Sequence, residues 1–255
     1  MKILAIGNSF SEDAMRYLHE LAEAGGMDVE TVNLYIGGCS METHWNNIVN
    51  NAPLYMYQHN GQLSDRYVTI QDTLDEKDWD IITCQQVSHC SGMYETYEPY
   101  CAKIYEYLRE KKPNAVLWMQ KTWAYEIDSD HGGFVNYDKD QQKMYEALSD
   151  AYGKAAASVG VSLIPCGDVI QKVRTVEPFI YEKGGMTLCR DGFHMHLLYG
   201  RYLLAAVWYE TLCGGNILEN PFVPATAEMP DAIVDMEALQ VIKNCVHEYC
   251  SGKCE

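Results

Sequence analysis

The sequence predicts a three-layer α/β fold with a central parallel sheet, and three observations carry that reading. Short apolar runs alternate with segments of helical periodicity along nearly the whole chain. Glycines punctuate the junctions, as at Gly7, Gly25-Gly26, Gly37-Gly38 and Gly214-Gly215. Nothing repeats at a fixed period, and no stretch is low in complexity. Strand–helix alternation implies a parallel sheet covered by helices on both faces. With no linker dividing them, the 255 residues are read as one domain, 1–255.

Each element has its own signal. Residues 2–6 form an apolar first strand. A helix over 11–24 sets Ala14, Leu18, Leu21 and Ala22 on one face, with Ser11 as its N-cap and Gly25-Gly26 as its stop. Residues 29–36 return as a strand, and 40–79 read as polar and less regular. Residues 80–84 are the next strand; a helix over 97–111 ends before Pro113, and 115–119 is again a strand. Residues 141–159 are helical, 162–165 a short strand and 199–212 an apolar helix, with a last helix over 231–250.

Composition narrows the function. A formal net charge of −17 disfavours nucleic acid and anionic membrane as partners. There is no apolar run of the roughly 18 residues needed to span a bilayer. The chain opens on a strand with Lys2 as its one early cation, which reads as cytoplasmic as it stands, and as secreted or periplasmic if a leader was trimmed. Ten scattered cysteines, several in apolar runs such as Cys84 and Cys213, read as buried reduced thiols. The tail Cys245-x4-Cys250-x3-Cys254 lacks a Cys-x2-Cys knuckle, so no metal is expected there.

The chemistry begins at residues 3–13, Ile-Leu-Ala-Ile-Gly-Asn-Ser-Phe-Ser-Glu-Asp. This arrangement sets Ser9 at the carboxyl end of the first strand and just before a helix N-terminus, in the crevice where open α/β sheets bind ligands. The helix start favours negative charge developing at Ser9. Far along the chain, Asp191-Gly192-Phe193-His194 precedes an apolar helix. A short turn there can bring the carboxylate against imidazole Nδ1 and leave Nε2 free as a base. Alone, an Asp-x-x-His spacing is as readily a polar turn; its weight comes from Ser9.

Taken together, Gly7-Asn8-Ser9-Phe10-Ser11, Gly37-Gly38, the polar pair after the 80–84 strand and Asp191-x-x-His194 resemble the SGNH (GDSL-type) hydrolases, in order and across nearly the whole chain. The Gln-Gln pair, Trp118–Tyr125 and the Gly-Gly-Cys-Ser turn are similar to an uncharacterised bacterial subgroup. The resemblance implies a flavodoxin-like α/β/α fold and a Ser9–His194–Asp191 triad acting through an acyl-enzyme. It implies an oxyanion hole from the backbone N–H groups of Ser9 and Gly38, with Gly37 as the alternate glycine. Asn8 stands where many members carry aspartate.

One block departs from the pattern. The family usually has Gly-x-Asn, whose side-chain amide donates to the oxyanion; here the strand runs into Gln85-Gln86-Val87-Ser88-His89. A glutamine amide can donate the same bond from one methylene further out, so the role is assigned to Gln85, with Gln86 as the alternate. Asn8, His44, His89, Trp123, Tyr125 and His131 are candidates for the substrate pocket, the aromatics as stacking faces for a sugar or as core closure. His196 reads as a surface or helix-start residue. A zinc reading of Cys189, Asp191, His194 and His196 finds no His-Glu-x-x-His helix, and no phosphate loop supports a nucleotide cofactor.

The expected function is therefore cofactor-free hydrolysis of a short acyl ester, chiefly acetyl, of a carbohydrate or related small metabolite. The competing expectation is a noncatalytic glycan-binding protein on the same scaffold, motivated by the absent Gly-x-Asn.

Overall fold

The sheet decides where everything else lies. In the computed structural model, which describes residues 1–252, it has seven strands: β1 (Lys2–Gly7), β2 (Glu30–Tyr35), β3 (Tyr55–His59), β4 (Tyr67–Val68), β5 (Ile81–Cys84), β6 (Val116–Gln120) and β7 (Ser162–Ile164). Their order is β4-β3-β2-β1-β5-β6-β7. β1 pairs in parallel with both β2 and β5, and β6 and β7 extend that parallel array. These five strands have the flavodoxin-like order. The expected sheet is thus present, and it is mostly rather than wholly parallel: β3 and β4 add an antiparallel edge beside β2.

The nine α-helices are α1 (Ser9–Met15), α2 (Leu18–Ala24), α3 (Met41–Val49), α4 (Ile70–Glu76), α5 (Tyr100–Lys111), α6 (Gln141–Val159), α7 (Cys166–Val173), α8 (Tyr199–Trp208) and α9 (Met236–Cys250) among the described residues. Contacts divide them into two layers: α1, α2, α7, α8 and α9 on one face, α3, α4, α5 and α6 on the other. The segment 40–79, read from sequence as irregular, holds α3, β3, β4 and α4. Ser40 caps α3 and Thr69 caps α4 through their hydroxyls. The first helix is also two: it starts at Ser9 rather than after Ser11, and breaks between α1 and α2.

The core between the layers is rich in tyrosine. Tyr17, Tyr97, Tyr105 and Tyr152 are fully buried. Their rings fill apolar space, and each hydroxyl finds a partner, as where Tyr105 donates to the Trp118 carbonyl at 2.8 Å and Tyr97 to that of Ser91 at 2.7 Å. Nine cysteines lie among the described residues, and no disulfide joins any two of them. Cys245 is buried on α9, while Cys254 of the proposed tail cluster lies outside the described residues. No helix among the described residues is long and apolar enough to cross a membrane.

Between β2 and β5, β1 marks the point where the sheet's winding reverses. The crevice beyond its carboxyl end is where an α/β sheet of this kind presents a site.

Candidate active site

Ser9 is the first residue of α1, immediately past that carboxyl end. Its position is fixed by neighbours on both sides. Asn8 caps the helix, its side-chain oxygen accepting from Phe10 N–H at 3.0 Å, while its amide donates to the Cys39 carbonyl at 3.0 Å. Ser11 completes a capping box by accepting from Asn8 N–H at 3.1 Å, and lies 2.8 Å from Asn33 Oδ1 on β2. Gly7 is required sterically: a Cβ there would sit 2.0 Å from Ser11 Oγ and 2.6 Å from Gln85 Nε2. Asn8 is therefore a buried brace between α1 and the loop after β2, not a pocket-lining residue, and Ser11 is not the N-cap.

His194 meets Ser9 from across the chain. Its Nε2 lies 2.8 Å from Ser9 Oγ and its Nδ1 2.7 Å from Asp191 Oδ2. An ionised carboxylate can only accept, so Nδ1 carries the proton and Nε2 accepts from the serine hydroxyl. Asp191 Oδ1 also accepts from the backbone N–H groups of His194 and Phe193, at 2.7 and 3.2 Å. Partial burial pushes the Asp191 carboxyl upward, but the bonds from the His194 ring and the two N–H groups outweigh it and hold it below the usual carboxylate range.

A buried ion cluster unmarked in the sequence reading locks this turn to the serine's helix. Asp13 of α1 is fully buried and accepts from Arg190 at 2.9 Å, from Arg201 Nε at 2.8 Å and from Met195 N–H at 2.9 Å. Cys189 and Met195 bridge the base of the turn, and Gly192 adopts φ +82° at its tip. Trp123 Nε1 donates to the Phe193 carbonyl at 2.8 Å, and its ring stacks on Phe10 with centroids 4.1 Å apart. Trp123 thus supports the turn from behind and does not line a pocket.

The oxyanion side differs from expectation. Gly38 borders the same cavity as Ser9 and adopts φ +63°, a conformation that favours glycine. Gln85 and Gln86 do not join it. Gln85 is fully buried beneath α1, its Nε2 3.4 Å from Asn8 Oδ1. Gln86 points to the other side of the sheet: its oxygen accepts from Met41 and Val87 N–H at 3.0 and 2.9 Å, and its amide donates to the Thr96 carbonyl at 3.0 Å. Strand alternation sends these two side chains to opposite layers. Val87 and His89, two and four residues past Gln85, are the ones that border the cavity.

That cavity encloses about 470 Å³ and is bordered by Ser9, Gly38, His89, His131, Phe193 and His194, together with Glu12, Tyr35, Gly37, Val87 and Arg190. His89 and His131 are thus brought to Ser9, their rings 6.1 Å apart. His44 is not: it is fully buried on α3, with Nδ1 2.8 Å from the Tyr55 hydroxyl. Tyr125 is also fully buried, bonded to Ser88 at 2.8 Å, and reaches the site through its ring contacts with His131 at 4.8 Å and Phe193 at 5.7 Å. Glu12 and Tyr35 escaped the sequence reading; burial raises the Glu12 carboxyl above its ordinary range despite a 2.7 Å bond from Gln58. Of the four side chains weighed against a zinc reading, Asp191 and His194 are bonded to each other and the other two turn to separate partners. Cys189 Sγ accepts from Arg174 at 3.6 Å and His196 Nδ1 from Leu198 N–H at 3.2 Å, and no group of three or more metal-binding side chains converges among the described residues.

Solved structures share this architecture. A candidate SGNH hydrolase from Slackia heliotrinireducens superposes with a TM-score of 0.58 at 23% identity, covering 83% of this chain and 98% of that one. An acetylxylan esterase from Geobacillus stearothermophilus does so with a TM-score of 0.52 at 13% identity, covering 82% and 92%. The fold is that of the SGNH hydrolases. Within it, the chain belongs to the DUF4886 family (domain of unknown function), which it matches over residues 2–247. A DUF4886 family protein from Bacteroides uniformis is 40% identical over 100% of this chain and 96% of that one, with a TM-score of 0.89. No curated protein matches the chain.

Proposed function

We propose that this protein is a serine esterase that removes short acyl groups, chiefly acetyl, from a carbohydrate or related polar alcohol. The observation that carries the proposal is the continuous pair of hydrogen bonds from Ser9 through His194 to Asp191, at 2.8 and 2.7 Å. Ser9 Oγ attacks the ester carbonyl carbon as His194 Nε2 takes its proton. The tetrahedral oxyanion accepts from the backbone N–H groups of Ser9 and Gly38. Collapse breaks the bond to the alcohol oxygen, which leaves with the proton from His194. Water then attacks the acyl-enzyme, its proton again passing to Nε2, and Ser9 is regenerated with release of the carboxylic acid. Asp191 keeps the imidazole oriented and stabilises it when charged.

An acetyl-sized acyl group is the reading that the likeness to an acetylxylan esterase supports. The fold shared with an acetylxylan esterase supports a carbohydrate alcohol. With both glutamine amides committed elsewhere, the oxyanion rests on two backbone donors. Removing one oxyanion donor costs about 2.7–4 kcal/mol in known cases, so turnover is expected to be modest.

The test is hydrolysis of p-nitrophenyl acetate together with labelling by a fluorophosphonate probe. Wild type should do both, and Ser9→Ala should lose the label and at least about 10³-fold in kcat. Undiminished turnover by Ser9→Ala would overturn the assignment. Absence of labelling alongside saturable binding of an oligosaccharide would favour the noncatalytic glycan-binding alternative.

A further inference from the structure

His131 has no part in the steps above, yet its surroundings prepare it for one. Its Nδ1 accepts from Gly133 N–H at 3.0 Å, which fixes the neutral tautomer and leaves the ring proton on Nε2. No partner for that Nε2 occurs among the described residues, and the ring borders the cavity that holds Ser9. The ring is also held in place. Phe193 meets it edge-on with centroids 4.7 Å apart, and Tyr125 packs at 4.8 Å. Burial, then the neighbouring His89 and His194, hold its pKa below the ordinary histidine range, so it presents an N–H without a formal charge.

The side from which it approaches identifies what it would meet. The oxyanion forms against Gly38, on the loop after β2. His194 must hand its proton to the leaving oxygen, so the alcohol half of the ester lies along the imidazole. Phe193 packs on His194 with centroids 4.1 Å apart, and His131 packs on Phe193. A ring donor that borders the cavity on that side matches an alcohol that carries a second oxygen beside the ester.

Building on the esterase reading, we propose that His131 recognises the alcohol half of the substrate, its Nε2–H donating to a hydroxyl or ether oxygen vicinal to the ester. The substrate class is then an acylated vicinal polyol, as in a sugar or glycerol unit, rather than the ester of a simple alcohol. His131 acts in selection between alcohols, not in the proton transfers.

Two esters, glycerol monoacetate and ethyl acetate, give the test, read as a ratio of kcat/KM. Wild type should favour the polyol ester. His131→Phe, which keeps the ring stack and removes the donor, should lower that ratio about tenfold or more, mainly through KM. His131→Gln, which returns an N–H near the same point, should recover part of it. A ratio unchanged in His131→Phe, or a wild type with no preference, overturns the role of His131 while leaving Ser9 chemistry intact. Failure of wild type on both esters and on p-nitrophenyl acetate overturns the esterase reading, and this inference with it.

Discussion

Gln86 shows how a residue can be polar, central and still unavailable to a ligand. Its side chain satisfies two backbone N–H groups and reaches Thr96, so it ties the ends of β5, α3 and the 94–97 turn together. Gln86→Leu strands the N–H groups of Met41 and Val87 in a buried site; an unsatisfied buried donor costs roughly 1–3 kcal/mol. We expect a loss of about 2 kcal/mol or more in urea unfolding. Ser9, Gly38, Asp191 and His194 were legible because each stands at a strand end or in a turn that composition marks. The glutamines misled because type was read without parity: counting by two from Cys84 sends Gln85 under α1 and Gln86 to the other layer. The same count brings Val87 toward the cavity, and the 3-10 turn that follows over Ser88–Cys90 brings His89 there.

Among elements, the bond between α1 and the 189–196 turn matters most. Asp13, Arg190 and Arg201 form a buried cluster whose carboxylate also accepts from the turn's own backbone. Such a cluster is weak evidence for net stability, yet breaking one is expensive, about 3–5 kcal/mol, because partner charges are left uncompensated. Asp13→Ala should therefore lower Tm by several degrees and reduce kcat further than folding loss explains, measured on the fraction still folded. This pairing could not be read along the chain, since 177 residues separate Asp13 from Arg190. The parallel strands were legible from their apolar runs, but α3 and α4 were not. Their serine and threonine caps were present to be read, while their short, mixed-polarity turns lacked a clear apolar stripe.

At the scale of the whole molecule, acid is the predicted weakness. Burial pushes the His44 imidazole down to about 3 from its ordinary 6.5. Between those values the unfolded chain binds a proton that the native state refuses, so stability rises with pH across that window and is fully present above it. The slope from one such group reaches about 1.4 kcal/mol per pH unit, and His44→Gln should flatten it in unfolding measured from pH 4 to pH 7. Asp191, held below its ordinary range, acts in the same direction: its contribution is present above the unfolded carboxylate pKa and is lost as pH falls through the depressed folded value. Glu12 has the opposite sign, its raised pKa costing stability as pH climbs through it.

The anchorage of the histidine turn on the serine's own helix also governs how the protein fails when heated. Where a catalytic loop is loosely attached, it frays first, and inactivation precedes melting. Here the loop cannot leave without pulling the Arg190 guanidinium and the Met195 N–H from the buried Asp13 carboxylate. Residual activity after brief heating should therefore fall along the same curve as the loss of helical circular dichroism. A gap of more than a few degrees between the curves would show that the turn detaches on its own.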